Sequence, residues 1–265
     1  MTALSRSAVA AVLDDVRARQ PLVHCLTATV SMNFVADAML AAGATPMMTD
    51  TVDEAPAVNA VADALLINLG VLSTDVAAAI PPTVSAARLR NQPWVLDPAA
   101  IGRAPVRTPL AHALLHQRPA VVRGNASEAL VLASGGQGGR GADSVAGSDD
   151  AVGAAEQLAE RHGTVVAVSG AVDALTDGSR TVRLANGDPL LTRVTGTGCV
   201  LGGLTAACTV VVDPLTAAVA ATAWLSIAAE RAAASARGPG SFKVALLDEL
   251  ALVGPGEIEE GLRWG

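Results

Sequence analysis

The sequence predicts an α/β fold with a mostly parallel central sheet and helices on both faces. Short β-branched or aliphatic runs alternate with longer Ala/Leu-rich segments along the chain. The runs are apolar throughout rather than alternating with polar residues, as in strands covered on both faces. Several helical segments also open on Ser, Asp or Thr, whose side-chain oxygens can cap free backbone N–H groups. With 265 residues, 51% of them hydrophobic, and a mean hydropathy of +0.43, the chain can bury a large core without disulfides or metals. One domain over residues 1–265 is expected.

The opening MTALSRSAVAAVLDDVRARQ reads as an amphipathic helix. Asp14, Asp15 and three arginines break the apolar run that a secretory signal needs. Strands are expected at Thr45–Met48, Ala64–Leu69, Trp94–Asp97, Ala120–Arg123 and Val165–Ser169, each ending in polar or turn residues. Between them lie helical patterns at Ser31–Ala42, closed by Gly43, and at Asp53–Asp63, Asp75–Leu89, Thr108–Gln117, Ala126–Leu132 and Asp149–Arg161. Beyond Ser169 the pattern changes: Ala174–Thr176, the turn Asp177-Gly178 and Thr181–Leu184 read as a hairpin at one end of the sheet, followed by the turn Asn186-Gly187. Three Ala-rich helices, Cys199–Val211, Pro214–Ala236 and Phe242–Leu252, close the chain. The glycine-dense Gly135–Gly141 lacks the GxxxxGK[ST] spacing and reads as a surface loop, and no GxGxxG follows the first strand.

No apolar run approaches the roughly 18 to 20 residues needed to span a bilayer. The net charge of −7, with acids and bases mixed along the chain, disfavours a nucleic-acid partner. Three cysteines with no CxxC fit a reducing cytoplasm and argue against a disulfide framework or a zinc site.

In an open parallel sheet, ligands sit beyond the carboxyl ends of the strands. Four polar strand ends stand out: Met48-Thr49-Asp50, Asn68-Leu69-Gly70, Asp97-Pro98 and Arg123-Gly124-Asn125. Each alone has a plain explanation as a turn cap or a residue tolerant of left-handed backbone. With VTGTGCVLGG, Val194–Gly203, they describe a nucleotide site. Gly196-Thr197-Gly198 lets backbone approach an anion at a helix start, while Asp97 and Glu128 suit hydrated magnesium. Cys199 falls in the first helical turn, where its pKa is expected below the usual value of about 8.5. It suits a base, and equally a buried cysteine filling space beside Gly202 and Gly203. Cys208 reads as a space-filler and His24 as a histidine at the edge of the core.

The stretches PLVHCLTATVSMNFVADAMLAAGATPMMTD, LLINLGVLS, WVLDP, PAVVRGNASEAL, TVVAVSGAVDALTDG, NGDPLLTRVTGTGCVLGG and GPGSFKVALLDEL occur in the order and spacing of the hydroxyethylthiazole kinase family. That family is the thiamine-salvage member of the ribokinase-like superfamily, and the resemblance runs from Pro21 to Leu250. It implies transfer of the γ-phosphoryl group of ATP to the primary hydroxyl of 5-(2-hydroxyethyl)-4-methylthiazole, bound between subunits of a homotrimer. It implies substrate contacts at Met48 and Gly196, and nucleotide contacts at Arg123, Ser169, Asn125, Thr197 and Gly198. Asp97 and Glu128 would lie near Mg2+, and Cys199 would stand where most ribokinase-like enzymes place an aspartate base. Two departures bear on the acceptor: Cys25 and Ala28 replace asparagines of the family's HNITNxVxxN. The loop Asp97–Ala104 also loses an early glycine and gains Arg103. The alternatives are a kinase for another heteroaromatic alcohol, a ribokinase-like nucleotide-dependent dehydratase, a thiol hydrolase pairing Cys199 with His24, and a non-catalytic nucleotide-binding subunit.

Overall fold

The computed structural model describes residues 4–134 and 148–264. Its helix α1 (Arg6–Arg19) starts where Ser5 accepts the Ala8 N–H, and it buries Val9, Val12, Leu13 and Val16. There follow β1 (Leu22–Leu26), α2 (Met32–Ala42), β2 (Thr45–Met48), α3 (Ala55–Asn59), β3 (Ala64–Asn68), α4 (Thr74–Leu89), β4 (Trp94–Asp97), α5 (Arg107–Leu115), β5 (Val121–Asn125) and α6 (Ala126–Ala133). The second half holds α7 (Ser148–His162), β6 (Val165–Ser169), the hairpin β7 (Asp173–Thr176) and β8 (Thr181–Leu184), and a 3-10 turn at Pro189–Arg193. Four helices close it: α8 (Thr197–Cys208), α9 (Pro214–Ser235), α10 (Pro239–Leu252) and α11 (Pro255–Gly261).

All strands join one sheet in the order β2-β1-β3-β4-β5-β6-β7-β8. The first six are parallel and the hairpin is antiparallel, as the sequence predicts. Leu22–Leu26 adds a strand beside β3 that is absent from the sequence-based strand list, because His24 and Cys25 interrupt its apolar run. The helix expected over Asp53–Asp63 shortens to α3. Asn59 is drawn under the sheet, where its side chain meets His24 and Gln92, and the chain turns there toward β3. Gly135–Gly141 lies outside the described residues.

Strand side chains alternate between two cores. Val23, Cys25, Leu66, Val95 and Val121 pack with α1, α2, α8 and α9, whereas Leu26, Ile67, Leu96 and Val122 pack with α4, α5 and α7. Because the side-chain period is two, the first alternation carries Thr27, Asn68, Asp97 and Arg123 onto the α8 face at the carboxyl ends. A polar row therefore stands directly beneath the start of α8. Among the described residues no helix is long and apolar enough to cross a membrane.

Candidate active site

Backbone conformation sets the start of α8. Gly196 has φ 96°, the left-handed region that favours glycine, and a Cβ there would lie 2.7 Å from the Ser31 Cβ. The next residue anchors the turn, since Thr197 Oγ1 donates to the Leu191 carbonyl at 2.9 Å. Its hydroxyl proton is thereby committed, leaving the first-turn N–H groups as the donors a helix N-terminus offers an anion. Farther along, Gly202 and Gly203 let the helix press on Leu66 and on Met39.

Beneath this turn lies a hydrogen-bonded cluster. Asp97 Oδ2 accepts from Asn68 Nδ2 at 2.7 Å and from Arg123 Nη1 at 3.3 Å, and Arg123 Nη2 donates to Ser169 Oγ at 3.1 Å. Asn68 is oriented by the Gly70 N–H, which donates to its Oδ1 at 2.9 Å, and its Nδ2 also reaches Cys199 Sγ at 3.4 Å. Burial pushes Asp97 up to about 6, against the pull of Arg123. Two buried polar atoms here have no protein partner: Asp97 Oδ1 and Arg123 Nε.

The expectation of an acidified Cys199 is corrected. Burial first, and then the Asp97 carboxylate, raise its pKa above the ordinary thiol value, outweighing hydrogen bonds from Ser31 and Asn68 and the charge of Arg123. The thiol is neutral at pH 7.

Asn125 and Glu128 form a capping box at the start of α6. Asn125 Oδ1 accepts the Glu128 N–H at 3.0 Å, and Glu128 Oε2 accepts the Asn125 N–H at 2.9 Å. Glu128 Oε1 takes the Ala100 N–H at 2.9 Å, pinning the loop after β4. Among the described residues no three His, Cys, Asp or Glu side chains gather as a closed metal site. This donor set fits magnesium, which keeps several waters and binds through one or two carboxylates plus substrate phosphates. Asp97 Oδ1 is the unengaged oxygen, whereas Glu128 already accepts an N–H on each oxygen.

A cavity of about 580 Å³ opens beside the cluster, and Arg123, Asn125, Ser169, Thr197 and Gly198 all line it. Asp173, absent from the sequence-based candidates, lines it too. Its Oδ1 accepts the Gly170 N–H at 2.9 Å, and burial raises it to about 6. A smaller hollow of about 400 Å³ lies at the opposite, amino-terminal edge of the strands, around Trp94, Ala120 and Val165.

On the acceptor side, Met48 ends the edge strand β2, half-buried and level with Cys25. Cys25 itself faces the core, its Sγ 3.9 Å from Met39 Sδ and its pKa pushed up to about 12 by burial. It therefore has no access to an acceptor, contrary to the expectation drawn from the family motif. Ala28 differs, since it lies against Gly70 beside Asn68. His24 is set on the other face of the sheet, with Nε2 2.6 Å from Thr49 Oγ1 and Nδ1 3.3 Å from Asn59 Oδ1. It does not serve Cys199 as a base, which removes the geometry that a thiol hydrolase requires.

Comparisons with known proteins bear on this arrangement. The model of the hydroxyethylthiazole kinase family matches residues 13–255. A hydroxyethylthiazole kinase of Clavibacter sepedonicus is 51% identical over 95% of this chain and 92% of its own. One from Kineococcus radiotolerans is 51% identical over 93% and 90%. Among solved structures, the hydroxyethylthiazole kinase protein from Pyrococcus horikoshii OT3 superposes with a TM-score of 0.89 at 36% identity, covering 97% of this chain and 98% of that one. The pyridoxal kinase from Staphylococcus aureus, at 18% identity and a TM-score of 0.62, shares the ribokinase-like fold. Matches of this length and identity, over a chain that folds its glycine turn onto Asp97, Arg123 and Cys199, establish that it belongs to the hydroxyethylthiazole kinase family.

Proposed function

We propose that one kinase domain spanning this chain transfers the γ-phosphoryl group of ATP to the primary hydroxyl of 5-(2-hydroxyethyl)-4-methylthiazole in thiamine salvage. One observation carries the reading of the site: Asp97, Asn68, Arg123 and Cys199 form one hydrogen-bonded cluster under the start of α8, at the edge of a nucleotide-sized cavity. Phosphoryl transfer asks chiefly for alignment and charge neutralisation. Arg123 and the α8 amides supply fixed positive charge to the transferring group, and Ser169 holds the guanidinium at its far edge. Asp97, with Glu128 acting through water, would hold magnesium, which neutralises phosphate charge when bound.

In a loose transition state the alcohol's proton leaves late. A neutral thiol cannot take up that proton, so Cys199, held by Asn68, orients the acceptor hydroxyl toward the phosphate, and as the new O–P bond forms the proton passes to an oxygen of the transferred phosphoryl group. Met48 and Gly196 line the acceptor side. The reading includes a homotrimer with the acceptor between subunits, located in the cytoplasm. Light scattering checks the trimer.

Ala28 favours a second reading, a different hydroxyethyl heterocycle as acceptor, because the side chain beside Gly70 offers no amide. One experiment tests both: ADP release with ATP and magnesium, measured with and without a panel of hydroxyethyl-heterocycles, with the phosphorylated product identified by mass spectrometry. Absence of thiazole-stimulated ADP formation would remove the first reading, and stimulation by another heterocycle would establish the second.

A further inference from the structure

The cavity has two ends. Arg123, Thr197 and Gly198 make the charged end, and the turn Asn186-Gly187 with Ser226 on α9 makes the other. That second wall is held by a network that reaches across the chain to its carboxyl-terminal segment. Glu230, one helical turn beyond Ser226, accepts the Gly187 N–H at 2.7 Å and Asn186 Nδ2 at 3.2 Å on its Oε1. Asn186 is 6% exposed, and both ends of its amide are engaged. Nδ2 also donates to the Gly261 carbonyl at 3.0 Å, and Oδ1 accepts the Arg263 N–H at 2.7 Å. Arg263 pairs with Glu230 and donates from Nε to the Ala185 carbonyl at 2.9 Å. Ala185 N–H returns a bond to the Arg263 carbonyl at 3.0 Å, and Trp264 bridges to Leu184 at the free edge of β8.

This is more than a capped turn. Gly187 has φ 123°, which glycine adopts without a side-chain penalty but also without a side chain to restrict it, so the shape of the wall is fixed by the bonds from Gly187 and Asn186 to Glu230. The same strand of chain runs on through Asp188, which accepts the Leu190 N–H at 2.8 Å, to Leu191, whose carbonyl anchors Thr197. A shift at Gly187 is thus transmitted to both ends of the cavity. The hydrogen bonds of Glu230 and Arg263 run to Ala185, Asn186 and Gly187, and none of them joins Met48 or Ala28.

We propose that Glu230 and the Arg263-Trp264 segment are positioning residues for the nucleotide, fixing the Asn186-Gly187 wall and so setting affinity for ATP independently of the acceptor. The inference rests on reading the cavity as the nucleotide site. Losing a charged acceptor that holds the Gly187 and Asn186 donors of the wall, besides Arg263, predicts a roughly tenfold rise in the ATP KM and in the ADP dissociation constant for Glu230→Ala. The acceptor KM and kcat should stay within about twofold of wild type. Glu230→Gln keeps an oxygen for the Gly187 and Asn186 donors and restores ADP affinity to within about threefold.

The experiment is calorimetric titration of the full-length wild type and variants with ADP, beside steady-state kinetics in each substrate. A folded Glu230→Ala that binds ADP like wild type overturns the proposal. So does one in which both KM values and kcat worsen together, the signature of a merely structural loss. Should Glu230→Ala fail to fold, Arg263→Ala, which removes only the outer bonds to Glu230 and Ala185, carries the same test: unchanged ADP affinity overturns the proposal and selective weakening supports it. A wild-type protein that binds no ADP at all refutes the nucleotide reading itself, a result distinct from either outcome.

Discussion

Replacing Gly198 by alanine separates the geometry of the anion turn from the stability of the helix that carries it. Gly198 occupies the second position of α8, with ordinary helical backbone, so alanine is conformationally welcome and favoured by up to about 1 kcal/mol in a helix interior. The obstacle is Arg123: a Cβ at position 198 would stand 2.7 Å from its Nη1 and 3.1 Å from its Nη2. To recover the 3.4 Å of ordinary contact, the guanidinium must retreat by about 0.7 Å. Its bonds to Asp97 and Ser169, already 3.3 and 3.1 Å long, then stretch or break. Misplacement of about 1 Å can cost about a hundredfold in rate, so Gly198→Ala is expected to lower kcat/KM by roughly ten- to a hundredfold, or about 1.4–2.7 kcal/mol. Initial rates of ADP release, with ATP and acceptor varied separately, measure the loss, and a thermal melt checks that the fold is intact. A variant with wild-type kcat/KM would refute the claim that Arg123 works from its place against the helix start.

Other perturbations follow from the same contacts. Cys199→Ala should lower turnover by roughly ten- to a hundredfold, at or below the low end of general-base effects because the neutral thiol mainly orients the hydroxyl, while Cys199→Asp should keep or raise it; an unchanged alanine variant removes the thiol from the mechanism. Asp97→Asn should weaken nucleotide binding most at low magnesium, read as a steeper magnesium dependence of the ATP KM; an identical dependence would dismiss Asp97 as a metal-side group. His24 is held at about 4 by burial against an ordinary value of 6.5. The unfolded chain therefore takes up a proton as pH falls below 6.5 and the folded chain does not, so stability drops across that window by about 2 kcal/mol at pH 5. Asp97 and Asp173, both raised to about 6, contribute the opposite sign. The difference between wild type and His24→Gln in urea unfolding at pH 7 and pH 5 isolates the histidine, and parallel pH dependences would discount it. Trp224, fully buried with its Nε1 on the Leu250 carbonyl and Arg17 over its ring, should cost about 3–5 kcal/mol when cut to alanine; calorimetric melting reads the loss, and a change under 1 kcal/mol contradicts the packing argument.

Much of the architecture was legible because parallel strands covered on both faces are apolar throughout and end in turn residues. Leu22–Leu26 was less legible, since His24 and Cys25 sit in its centre and acquire their burial only through Asn59, Thr49 and Met39. Several chemistry-bearing residues clustered at strand ends, where the topology of an open sheet puts ligands, so Arg123, Asp97 and the glycine turn could be named from one dimension, whereas Ser169 came only with the family resemblance. Their states could not. The ionisation of Cys199 depends first on its burial and then on Asp97, a carboxylate at the end of β4 that opposes a thiolate. Asn68 belongs to one of the marked strand ends, yet its bridge from Asp97 to Cys199 exists only once β3, β4 and α8 converge. The Glu230 network joins residues separated by 33 to 77 positions, and no local pattern announces such a closure.

The glycines that seat α8 on its neighbours divide the site into a part that is fixed and a part that is free to diversify. With Gly202 against Leu66 and Gly203 against Met39, the helix has no clearance to rotate or slide, and its first turn inherits the stiffness of the sheet. New acceptors are therefore best accommodated away from the helix start, at the half-buried Met48 that ends the edge strand, whereas Ala28 is 2% exposed and its carbonyl holds Ser31 beneath Gly196. Selection for a different alcohol would act on that outer rim first, with the phosphorylating machinery carried along unchanged.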